Sequence, residues 1–137
     1  PQVFTLLNSD MVTDRAIAFA LMLEKQTDEV EKQINRAFLR SYGRMPTAPQ
    51  RESLLDYYRE MVQHHEKVKP QPVPYPTRIT RSLVEEFTGR PFEYEEILPT
   101  FEDYMPDRKP WDVAPATRAL ADVCQLLFNS NEFMYVY

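Results

Sequence analysis

The sequence predicts an all-α fold: a helical bundle of about four to five helices with a long proline-rich, largely irregular insertion. Three observations predict it. Before residue 69, apolar residues recur at helical spacing in three successive stretches, each preceded by capping residues and joined by short links. The chain has only two glycines against twelve prolines, too little glycine for a β-rich fold with many tight turns. The prolines crowd into the centre, and a clean apolar helical pattern resumes after Pro115.

The first helix is expected over residues 8–26, capped by Asn8, Ser9 or Asp10, with Val12, Ala16, Phe19, Ala20 and Leu23 as its apolar positions. Asp28 opens the second, with Glu31 three residues on as an acidic variant of the capping box. Val30, Ile34, Ala37, Phe38 and Tyr42 form its inner face, and Gly43 ends it in the left-handed conformation glycine takes cheaply. Arg44-Met45-Pro46-Thr47 makes a turn, because Pro46 keeps Met45 extended. Thr47 with Gln50 has capping-box spacing ahead of a third helix running to about Glu66.

Pro70, Pro72, Pro74 and Pro76 then favour extended polyproline II and exclude helix. Ile79, Leu83, Val84 and Phe87 predict helical character over residues 78–88, with Gly89 as a stop. From Pro91 to Pro115, Phe92, Tyr94, Phe101, Tyr104 and Trp111 lie among acidic residues and predict an ordered, mostly irregular wrap over the bundle. Pro115 suits a first helical turn, and Leu120, Val123, Cys124, Leu127 and Phe128 supply the last apolar face. The organisation is one domain over 1–137: a three-helix core (1–68), a proline, aromatic and acidic wrap (69–113), and the last helix with an aromatic C-terminus (114–137).

The C-terminus carries most of the functional signal. Phe128 to Tyr137 wraps an apolar, aromatic run around Asn129-Ser130-Asn131-Glu132. Terminal segments stay disordered unless tied down, so Phe133 and Tyr135 are expected to pack on the chain's own helices or on another domain. The start, Pro1-Gln2-Val3, has neither initiator Met nor basic leader, and reads as a piece of a longer polypeptide. A formal charge of −5 argues against a nucleic-acid ligand. No apolar run approaches the ~20 residues of a membrane span, so no membrane insertion is expected.

Catalytic signals are weak. His64 and His65 are adjacent and point about 100° apart on a helix, so they cannot chelate one ion; one is expected exposed and the other packed. The carboxylates of residues 93–107 lack calcium-loop spacing. Arg90, Arg108 and Lys109 are expected to neutralise several of them, leaving a solvated acidic face. Cys124 reads as a small buried hydrophobe, and Met11, Met22 and Met61 read as packing. No nucleophile elbow, phosphate loop, zinc-protease motif or haem-attachment motif is present. Neither catalytic nor metal-binding residues are assigned.

Four segments carry a resemblance: Leu6-Leu7-Asn8, Gly43-Arg44-Met45-Pro46-Thr47, Arg118-Ala119-Leu120-Ala121-Asp122-Val123-Cys124, and Asn129-Ser130-Asn131-Glu132-Phe133. In this order they resemble the C-terminal domain of unknown function of large planctomycete proteins that also carry a cytochrome-c-like domain. Residues 69–110 look like an insertion that only some members share. The resemblance implies an exported parent, periplasmic or at the cell surface, with haem c in a separate upstream domain and no cofactor in this one. The family has no established catalytic residues to carry over. Arg44 could bond the carbonyls of the helix before it or reach a carboxylate such as Glu132, while Asn129, Ser130 and Asn131 suit a cap and a turn.

The expectation is therefore a non-catalytic structural or interaction domain that docks onto upstream domains of the same polypeptide. Its candidate contact residues are Tyr94, Tyr104, Trp111, Phe133 and Tyr135. The structural motif is Gly43, Arg44, Pro46 and Thr47 with Asn129, Asn131 and Glu132. A glycan- or other ligand-binding module using Tyr94, Tyr104 and Trp111 is the alternative. A hydrolase using Glu95, Glu96, Glu102 or Asp103 ranks behind both.

Overall fold

A computed structural model describes residues 9–101 and 104–134. The chain divides into two compact units: one holds the helices, up to Gln71 and from Asp107 onward, and the other is Pro72–Pro106. The sequence reading treated the whole as one helical domain. The fold is mostly helical but not purely α, because the second unit is built on a two-stranded antiparallel sheet.

In the helical unit, α1 spans Asp10–Glu24, and Ser9 caps it by accepting a bond from the Val12 amide. Helix α2 spans Val30–Tyr42. Its start departs from the expected Asp28 box: Glu29 is the N-cap and makes no side-chain cap bond. Thr27 does that work, its hydroxyl accepting from the Glu29 amide and its carbonyl accepting from the Gln33 side chain at 2.7 Å. Gly43 ends α2 at φ +71°, and its amide donates to the Leu39 carbonyl at 2.8 Å. Helix α3, Ala48–Lys67, opens with both bonds of the Thr47–Gln50 capping box in place.

Helix α4, Pro115–Phe128, is the centre of the unit and packs chiefly against α1 and α3. Pro115 stands in its first turn, where a missing N–H costs nothing. Leu120, Val123 and Cys124 are wholly buried and meet Ala16, Ile17, Ala20 and Leu23 of α1 and Ile34 and Ala37 of α2 in one apolar core. Fully burying one such branched side chain contributes about 1.5–3 kcal/mol, so this seam is the main source of stability. A short α5, Asn131–Met134, follows the Asn129 C-cap of α4.

In the Pro72–Pro106 unit, β1 (Arg78–Val84) pairs antiparallel with β2 (Pro91–Ile97), with Arg81 opposite Tyr94 and Leu83 opposite Phe92. This corrects the helix expected over residues 78–88. Residues four apart share a face in a strand as well as in a helix, so Ile79 and Leu83 fit both patterns. Gly89, at φ +65°, belongs to the connection, where Glu85 donates its amide to the Arg90 carbonyl and accepts from Gly89. Pro91 takes the first position of β2, which needs no ladder donor. Of the Pro91–Pro115 segment expected to be mostly irregular, Pro91–Ile97 is the second strand of this hairpin, and short 3₁₀ turns follow at Pro99–Phe101 and, back in the helical unit, at Pro110–Asp112.

Candidate functional site

The turn after α2 and the end of the chain meet, although they are far apart in sequence. Arg44 leaves the Gly43 turn and grips Glu132 of α5 with two parallel bonds, Nε to Oε1 at 2.7 Å and Nη2 to Oε2 at 2.8 Å. Its guanidinium also lies 4.9 Å from the centre of the Phe38 ring and donates to Gln50. The bond to Glu132 holds the Arg44 pKa above its ordinary value. Pro46 is buried beneath this turn.

Ser130 organises the other side. Its hydroxyl accepts from the Tyr42 phenol at 2.6 Å and from the Phe133 amide at 3.2 Å, and donates to the Leu127 carbonyl at 2.9 Å. Desolvation is the main reason that Tyr42 titrates above its ordinary value, and the nearby Glu132 charge pushes the same way. Asn129 caps α4 through its backbone, while Asn131 and Glu132 open α5.

This scaffold fixes Phe133 at the molecular surface. Phe19 stacks on Phe128 at 5.7 Å, and Phe128 meets Phe133 at 5.4 Å. Phe133 is 44% exposed, Met134 44% and Met11 64%. With Val12 and Phe128 they line an open groove of about 390 Å³ whose walls are almost wholly apolar. Met11, expected in the packing, is instead a surface side chain beside Phe133. A second groove, of about 530 Å³, is lined by Phe38, Tyr42, Leu54 and Leu126 together with Ser53 and Glu132.

Of the other aromatic candidates, Tyr94 and Tyr104 belong to the Pro72–Pro106 unit and Trp111 to the helical unit. Tyr94, exposed, lies tilted against Phe92 at 6.3 Å and 36°. Tyr104 meets Tyr75 edge-on at 5.8 Å and 64°. Trp111 is half-buried in the 3₁₀ turn of the helical unit. Tyr135, Glu102 and Asp103 lie outside the described residues.

Glu95 and Glu96 are adjacent in β2 and therefore point to opposite faces of the sheet. Arg78 takes Glu95 at 2.7 Å and Arg81 takes Glu96 at 2.5 Å. Arg90, Arg108 and Lys109 were the expected neutralisers; for Glu95 and Glu96 arginines of the paired strand do it instead, and Lys109 pairs with Asp14 of α1. Asp107 pairs with Arg15.

His64 is exposed and His65 half-buried, with their rings 5.3 Å apart and edge-on. His65 Nε2 lies 2.6 Å from Asp122 Oδ2, a contact between α3 and α4 that the sequence reading missed. Asp122 sits one helical turn beyond Arg118, the only local hint of it. Among the described residues no cluster of histidine, cysteine and carboxylate groups is arranged to hold a metal ion. Burial raises the Cys124 thiol to about 12, which suits packing and removes the thiolate a nucleophile needs. Among the described residues no helix is long and apolar enough to cross a membrane.

No protein-family model, curated protein or solved structure matches the chain.

Proposed function

We propose that the helical unit is a non-catalytic interaction domain that docks through the surface around Phe133 onto upstream domains of one exported, multidomain polypeptide. The observation that carries this reading is the exposed apolar groove of Met11, Val12, Phe128, Phe133 and Met134. Exposed apolar surface of this kind marks contact sites, and Arg15 and Asn129 are the polar residues that line it. Phe133 is held by the Ser130 cap and the ring of Phe128, so presenting it costs little side-chain entropy. Haem c belongs, in this proposal, to a separate upstream domain, and the periplasm or cell surface is the proposed location.

The test is chemical-shift mapping of the chain against the separately expressed upstream region. The expected perturbations centre on Met11, Phe128 and Phe133. Shifts confined to Tyr94 and Tyr104 would sink this reading. For glycan binding, coplanar exposed rings are the requirement, and the tilted Phe92–Tyr94 and edge-on Tyr75–Tyr104 pairs give it no support.

A further inference from the structure

Both crossings of the chain between the helical unit and Pro72–Pro106 lead to one buried side chain. Arg118 is 8% exposed. Its Nη2 donates at 3.0 Å to the carbonyl of His65, in the last turn of α3, just before the chain leaves the unit. Its Nη1 donates to the carbonyls of Pro110 and Val113, at 3.0 and 2.7 Å, just after the chain returns at Asp107. A rigid planar fork thus fixes the outgoing and returning segments together.

Neighbouring pairs reinforce each crossing. On the outgoing side His65 meets Asp122 at 2.6 Å. On the returning side Lys109 reaches Asp14 at 2.7 Å and Asp107 reaches Arg15 at 2.5 Å. Among the described residues, the members of the apolar core come from residues 16–58 and 113–128. The Pro72–Pro106 unit, for its part, is closed by its own ladder and by the Arg78–Glu95 and Arg81–Glu96 pairs.

We infer that Pro72–Pro106 is an inserted module that unfolds without taking the helical unit with it, and that Arg118 is the clamp joining its two crossings. Local opening of this kind is expected of a segment that carries its own ladder and, among its described residues, contributes no fully buried side chain.

The intact chain tests this. Phe87, at the hairpin connection, is 95% exposed and offers chymotrypsin its first cut, before Thr88. The nicked chain is then heated while helical circular dichroism is followed. The expected midpoint lies within about 3 °C of the intact chain; a fall of more than about 10 °C, or a first cut inside a helix of the helical unit, overturns the independence. Hydrogen exchange on Arg118→Met tests the clamp. Amides at residues 66–69 and 111–114 should exchange at least about tenfold faster than in the parent, with the Ile17 and Val123 amides changing less. Uniform acceleration, or none, overturns it. Should the methionine variant fail to fold, Arg118→Lys keeps the charge, removes the fork and is read the same way.

Discussion

Cys124 gives the helical core a quantitative test. Its side chain is fully buried on α4, and burial raises the thiol from an ordinary 9.0 to about 12. Between those values the unfolded chain has lost the thiol proton and the folded chain has kept it. The unfolded state therefore binds fewer protons, and stability falls as pH rises from about 9 towards about 12, with no contribution below that window. At pH 10.5 the unfolded thiol is about 1.5 pH units past its midpoint, which at ~1.36 kcal/mol per unit gives a loss of about 2 kcal/mol relative to pH 8. Tyr42, Tyr57 and Tyr58 are raised as well, chiefly by burial, and act with the same sign. The Cys124→Ala variant separates the thiol from them. Urea unfolding of parent and variant at pH 8 and pH 10.5 should show the parent losing about 2 kcal/mol more than the variant over this interval. Equal losses would refute the placement of this thiol in a dry core.

Other substitutions probe the turn and the chain end. Replacing either Arg44 or Glu132 by glutamine should lower the thermal midpoint, with the double variant little worse than either single one and the difference shrinking in high salt; additive losses would contradict the bidentate pair. Gly43→Ala meets no atom within 4 Å, so its expected cost of about 1 kcal/mol is purely that of a left-handed backbone. Thr47→Ala removes a cap whose loss should cost about 1 kcal/mol in urea unfolding, and an unchanged midpoint would deny the capping box a stabilising role.

What the sequence revealed was local chemistry. Thr47 with Gln50, Gly43 and Pro115 mark helix ends through contacts within a few residues, and the structure has each of them there. The hairpin was hidden because Ile79 and Leu83 satisfy helical and strand spacing alike, and the pairing that decides between them lies in β2. The Asp28 cap failed for a similar reason, since Thr27 and Gln33 offered the same start a different set of bonds. At the candidate site, Arg44 and Glu132 were legible as polar groups in turns with room to meet. Met11 was not, because apolar residues at helical spacing look the same whether the core covers them or leaves them out. His65–Asp122 and Lys109–Asp14 join residues far apart in sequence, and no local period encodes them.

The most direct test of docking is light scattering after size exclusion, on the chain alone and mixed with its separately expressed upstream region. The account predicts a stoichiometric complex for the parent chain and none for a folded variant carrying Met11→Asp and Phe133→Asp. A parent chain that stays free in the mixture, or a variant that binds as well as the parent, would contradict it.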